Sequence, residues 1–237
     1  GEKVYIEYKG SGADTLVQQL IRTIYQAGGV PFLHCMNSKF LREILLHCNE
    51  EQIKIMGELA LLEMKQMDCF ISIRCDDNLT ELSDVPSEKM AIYEKLYNFP
   101  VHSEERVNNT KWVVLRYPTP NFAQAANMST ASFEDFYFDV CTMDYKQLNK
   151  AMEPLVNLMK NTNSVKIIGP ETNLSFSIKD INVIPCSGEC NIPDGEVYTA
   201  PVKNSINGTI TYNAPSIMNG FTFENIKFDF KDGKIVN

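Results

Sequence analysis

The chain has 237 residues, 44% of them hydrophobic and 22% charged, with a net charge of −8 at pH 7. That length and composition suit an ordinary folded protein able to bury one large core or two small ones. The negative balance argues against nucleic acid as a principal partner, because a phosphate-binding surface needs clustered Lys and Arg, though it leaves room for a local basic patch. No apolar run reaches the length of a membrane span, and no charged-then-apolar leader opens the sequence. The seven cysteines are odd in number and irregularly spaced, which predicts reduced thiols and a cytoplasmic location.

Taken in order, residues 4–8 predict a strand and Lys9-Gly10-Ser11-Gly12 a tight turn. Ser11 or Asp14 is the expected cap of a helix in which Leu16, Val17, Leu20, Ile21, Ile24 and Tyr25 recur at helical spacing. Gly28-Gly29 ends that helix. Residues 30–35 form the next strand, so the chain opens on a parallel, right-handed strand–helix–strand unit. The Gly10-Ser11-Gly12 turn shares two glycines with the dinucleotide-binding fingerprint. However, Thr15 stands where the third belongs, and no acidic residue follows the second strand. A turn that needs glycine's backbone freedom is the favoured reading.

Residues 51–67 predict a long helix and residues 69–74 a strand. Asp76 and Asp77 at its end read either as a polar loop or as a cation site at the carboxyl edge of a parallel sheet. Residues 87–98 predict a helix capped by Ser87 and stopped by Pro100. Residues 112–117 predict a strand, with Arg116 as the partner of a carboxylate. Helices follow at 133–141 and 144–160, the second bent or broken at Pro154. Beyond Asn161 the pattern changes to short strands, at 165–168, 174–178, 197–200, 208–212, 226–230 and 234–236, separated by Gly, Pro, Asn and Asp. The predicted class is therefore α/β. A mostly parallel sheet flanked by helices spans residues 1–163, followed by a β-rich mixed or antiparallel segment over residues 164–237. Strands begin almost at Gly1, and the sequence stops just after the Asp232-Gly233 turn, so the chain is expected to be cut at both ends.

No catalytic motif is complete. There is no His-Glu-x-x-His pair, no Gly-x-Ser-x-Gly elbow and no Walker loop. His34, His47 and His102 are not at ligand spacing from one another. Cys186 and Cys190 are four apart and lack the second pair of ligands that a structural zinc wants. The single candidate is Glu196. It follows Pro193 and the Asp194-Gly195 turn and precedes a short strand, so its carboxylate is tethered on both sides. It reads either as a metal ligand or as a solvated strand-entry residue.

The segment Asn191-Ile192-Pro193-Asp194-Gly195-Glu196-Val197-Tyr198-Thr199-Ala200-Pro201 resembles the hallmark segment of the aminopeptidase T family of metallopeptidases. Trp112-Val113-Val114-Leu115-Arg116-Tyr117-Pro118-Thr119-Pro120 with Ala123-Gln124 is similar to the same family. So are Phe133-Glu134-Asp135-Phe136-Tyr137 and Gly169-Pro170-Glu171-Thr172-Asn173-Leu174, all in family order. The resemblance implies a homodimeric, cytoplasmic aminopeptidase acting on peptide substrates. It further implies a site of two divalent metal ions, zinc, cobalt or similar, with Glu196 as one ligand. The family's other ligands, a second Glu, His residues and an Asp, lie downstream of the matched region. The resemblance thus implies an N-terminal portion with no complete catalytic site, inactive alone. The alternative from another class is a non-catalytic α/β module for binding or assembly.

Overall fold

The structure is a computed structural model and describes residues 1–218 and 221–237. The chain forms two compact units. The first is Gly1–Thr142 together with Cys190–Pro193, and the second is Met143–Glu189 together with Asp194–Asn237.

The first unit opens with β1 (Lys3–Gly10), α1 (Asp14–Gln26), β2 (Val30–Met36), α2 (Ser38–His47), α3 (Glu50–Met64) and β3 (Cys69–Cys75). It continues with α4 (Ser87–Tyr93), a π-helix over Glu94–Arg106, a single turn α5 (Val107–Asn109), β4 (Lys111–Arg116), α6 (Pro120–Ala125) and α7 (Thr130–Cys141). The strands pair in parallel in the order β2-β1-β3-β4, with the short strand Asn191–Ile192 added beside β4. The parallel sheet flanked by helices is the one the apolar runs predict. One face buries Val4, Ile6, Tyr8 and Ile73 with Val17 and Ile24 of α1. The other buries Tyr5 and Phe70 with Met64 of α3 and Val101 of the π-helix.

Local chemistry departs from the sequence reading in several places. Helix α1 has no side-chain cap. Asp14 accepts the Tyr8 hydroxyl at 2.7 Å and Ser11 donates to Asp77 at 3.1 Å, so both expected caps are engaged elsewhere. Gly10 has φ +99°, and a Cβ there would lie 2.0 Å from the Cys75 carbonyl, which accounts for the glycine without a nucleotide. Asp76 accepts the Ser38 hydroxyl at 2.8 Å. Helix α2 has no counterpart in the sequence reading; Asn37 caps it by accepting from Lys39 N–H. Arg116 makes no ion pair among the described residues. Its guanidinium lies 5.7 Å from the Phe122 ring centroid, so an aromatic face takes the place of the expected carboxylate.

Pro100 does not stop the helical run. The π-helix passes through it. In α-geometry a proline removes the hydrogen bond to the carbonyl four residues back and crowds that carbonyl. Here that carbonyl is Leu96, and the wider turn aims it at α3. A Cβ on the buried Gly57 would meet the Leu96 oxygen at 2.0 Å. The π-helix also carries His102, whose half-buried ring lies edge-on to Phe70 with centroids 5.8 Å apart. Burial holds its pKa below the ordinary 6.5, with Arg106, Arg74 and Lys9 acting the same way and Glu7 opposing.

In the second unit, α8 (Tyr145–Lys160) is a single helix that runs through Pro154, with Asp144 as its N-cap. The strands are β5 (Ser164–Gly169), β6 (Thr172–Ser177), β7 (Ile184–Cys186), β8 (the Asn191–Ile192 strand of the first unit), β9 (Glu196–Tyr198), β10 (Asn207–Thr211), β11 (Ser216–Met218), β12 (Phe221–Phe223), β13 (Lys227–Lys231) and β14 (Lys234–Ile235). An antiparallel sheet takes the order β14-β13-β10-β6-β5, with separate pairs β11-β12 and β7-β9. The described strands of the β-rich segment thus pair antiparallel, except β8, which lies parallel to β4. Secondary structure changes character near Asn163, whereas the compact units part at Thr142–Met143, because Met152 and Val156 of α8 pack on Val183 and Val197. No helix among the described residues is long and apolar enough to cross a membrane.

Two outcomes follow from these contacts. Helix propensity alone would make Gly57→Ala stabilising by about 1 kcal/mol. The Leu96 contact instead predicts destabilisation of about 2 kcal/mol or more, read by urea unfolding; an unchanged or raised midpoint would contradict it. For His102 the unfolded chain binds a proton below pH 6.5 that the folded chain does not. Stability is therefore fully present above that pH and falls as pH drops toward the folded value. His102→Gln should flatten this part of the stability–pH curve, and an unaltered slope would refute the assignment.

Candidate metal-ligand segment

The strand carrying Glu196 is fixed by pairing and by one anchor. β9 runs antiparallel to β7, with Cys186 opposite Glu196, Pro185 opposite Val197 and Ile184 opposite Tyr198. Val197 packs into the cluster of Met152, Val156 and Val183. Side chains alternate along a strand, so Glu196 and Tyr198 lie on the opposite side, and both are exposed.

The turn before the strand is held by Asp194. Its Oδ2 accepts Gly188 N–H and its Oδ1 accepts Gly195 N–H, each at 3.0 Å. Asp194 N–H donates to the Tyr145 hydroxyl at 3.3 Å. Gly188 has φ +90° and lies against the Tyr145 ring, where a Cβ would approach within 2.9 Å. Glu189 accepts the N–H and the hydroxyl of Ser187, both at 2.9 Å, and these bonds hold its pKa below the usual carboxylate range. Two neighbouring carboxylates, Asp194 and Glu189, are therefore engaged by loop donors. The Glu196 carboxylate makes no hydrogen bond or ion pair with any described residue. The start of the same segment belongs to the first unit. There Asn191 and Ile192 pair with Val114 and Leu115, and Val114 N–H donates to the Cys190 carbonyl at 2.9 Å. The sequence pattern gave no sign of this two-residue strand, because Pro193 and the turn dominate the local signal.

The other candidates lie elsewhere. His34 stacks on Tyr5 with centroids 4.0 Å apart and places Nε2 3.0 Å from Glu63. His47 is an exposed residue whose Nε2 is 3.5 Å from Glu43. Cys186 and Cys190 are among seven cysteines that form no disulfide. Cys75 is fully buried, and burial pushes its thiol up to about 12, which removes it as a nucleophile at neutral pH. Among the described residues no three His, Cys, Asp or Glu side chains are grouped to hold a metal. The described residues do not by themselves fit a two-metal centre.

The family model for "Thermophilic metalloprotease (M29)" matches residues 1–237. The chain belongs to the M29 metalloprotease family. It is 23% identical over 261 residues to Aminopeptidase 2 of Geobacillus stearothermophilus, a match covering 95% of this chain and 62% of that protein. The solved structure of wild-type AmpT from Thermus thermophilus matches with a TM-score of 0.77 at 18% identity, over all of this chain and 66% of that one. The chain therefore spans only about two thirds or less of the length of these two proteins. The structural likeness establishes a shared fold, a parallel sheet with helices followed by antiparallel strands.

Because Asp194 holds the turn and Glu196 holds nothing, substitutions at the two positions should separate. Asp194→Ala should lower the thermal midpoint, at a cost of about 1–3 kcal/mol for orphaned backbone donors. Glu196→Gln should leave it within error. Equal effects in a thermal melt would contradict this division.

Proposed function

We propose that this chain is part of an M29 aminopeptidase that hydrolyses N-terminal residues from peptides, and that Glu196 is one ligand of its metal site. The observation carrying the assignment is the state of Glu196. It is exposed, tethered between an Asp194-locked turn and a paired strand, and it is uncommitted to any described residue. A ligand position rewards such directional tethering, and a strand-entry residue of no function would not need its neighbours so firmly engaged. A catalytic metal generally takes three or more protein ligands. The others are not gathered among the described residues, and we assign them to the part of the relatives' length that this chain does not span. The site so completed holds two divalent ions, zinc, cobalt or similar, and the enzyme is a cytoplasmic homodimer. Family membership supports the peptidase class; the number of ions, the location and the dimer are carried by the resemblance of the sequence alone.

The test compares two proteins on amino-acid p-nitroanilides with added zinc or cobalt. In the full reading frame, Glu196→Gln should lower turnover by about 10²-fold or more, the scale of losing a catalytic electrostatic group, together with metal content and with the fold intact. Residues 1–237 alone should show none of the turnover of an ordinary enzyme, about 10 per second. Wild-type turnover and metal content in the Gln variant would overturn Glu196 as a ligand. Ordinary turnover by residues 1–237 would overturn the division of the site.

A further inference from the structure

The parallel sheet of the first unit has one face whose character changes along the strands. In the first row Tyr5 lies in register with Phe32 and Phe70, an aromatic set. In the next, Glu7 is flanked by His34 and Ser72, and in the last, Lys9 is flanked by Met36 and Arg74. Apolar rows are what a covered parallel sheet requires, so charged residues on an inner face are costly unless answered. The charged rows open into a cavity of about 360 Å³ whose far wall is the π-helix, with Tyr97, His102 and Arg106. It lies toward the carboxyl ends of the strands, where open parallel sheets take their ligands.

Charge in this cavity is not balanced by the protein. Arg106 lies over two rings, 4.5 Å from the Trp112 centroid and 5.1 Å from that of Phe70, so its position is fixed by packing. Its Nη1 is buried and has no hydrogen-bond partner. Neither Arg74 nor Arg106 has a carboxylate within ion-pair distance among the described residues. Glu7 accepts the Ser72 hydroxyl at 2.6 Å. Lys9 reaches only Asp76, at 4.0 Å. Among the lining residues three cations, Lys9, Arg74 and Arg106, thus face one carboxylate, Glu7, with Asp76 outside the cavity answering Lys9 at long range. A guanidinium held as Arg106 is matches the planar oxygens of a carboxylate or a phosphate, and the exposed Arg74 lines the same cavity.

We propose that this cavity is a binding site for a small anion carrying a carboxylate or phosphate group, held by Arg74 and Arg106 with Lys9 beside them. All of its named residues belong to the first unit, and the proposal is independent of the peptidase reading. The aromatic row and Tyr97 offer a flat apolar wall to the organic part of such a molecule. Neutral His102 adds a polar edge without a charge of its own.

Titration calorimetry on the full chain in low-chloride buffer tests it, with inorganic phosphate in one arm and succinate in the other. At least one should bind saturably at one site per chain, and the arm that binds identifies the anion. Arg106→Met keeps a long side chain between the two rings and should weaken that binding about tenfold or more, the loss expected when a charge-assisted contact goes; Arg74→Met should do the same. Arg106→Lys should retain part of it. Absence of saturable binding in both arms overturns the proposal whatever the variants do. Binding unchanged in both Met variants overturns it equally, since the anion would then sit elsewhere.

Discussion

The first unit depends on the central position of β1, whose Val4, Tyr5, Ile6 and Tyr8 are buried. This strand pairs on both edges, with β2 and with β3, and is covered on both faces, so Ile6 has no exposure at all. Burial of that kind normally dictates apolar side chains throughout. β1 obeys on the face that meets α1, through Val4, Ile6 and Tyr8. On the other face it obeys only at Tyr5 and then turns to Glu7 and Lys9. The second face can carry charge because its cover is the π-helix, which encloses a cavity over the charged rows. The π-helix in turn depends on Gly57, since any larger residue would collide with the Leu96 carbonyl. One proline, one glycine and one wide helix therefore decide whether the charged rows face a cavity or a packed core.

Much of this order was legible in the sequence, and the gaps have physical reasons. The four main strands and their common sheet follow from near-continuous apolar runs alternating with helical periodicity. The run through Pro100 was not legible, because the rule that proline stops a helix assumes α-geometry. Helix α2 was hidden because its start is a single Asn37 cap following directly on β2. Arg116 looked like a carboxylate partner because sequence records its charge but not the Phe122 ring beside it. The charged cavity was the least legible feature. Glu7, Lys9, Arg74 and Arg106 are scattered along the chain, and only the parallel register and the π-helix bring them together.

The candidate metal-ligand segment shows the opposite balance. The Asn191–Pro201 pattern and the turn chemistry of Pro193 and Asp194-Gly195 single it out as a candidate in the sequence. What sequence could not supply was the distinction among its carboxylates. Asp194 and Glu189 close the loop on backbone donors, and Val197 ties β9 to α8, which leaves Glu196 outward and unengaged. A carboxylate aimed by its neighbours but unused by them is what a shared metal site asks of one contributing segment. The same reasoning explains why no ligand cluster forms among the described residues: one strand entry supplies one direction, and a metal needs several converging ones.

The most direct measurement is anomalous X-ray diffraction from crystals of the full reading frame grown with zinc or cobalt. A carboxylate oxygen of Glu196 within about 2.0–2.2 Å of an anomalous peak, the usual zinc–carboxylate distance, is the result this account predicts. Peaks placed on other residues, with Glu196 free in solvent, would contradict it.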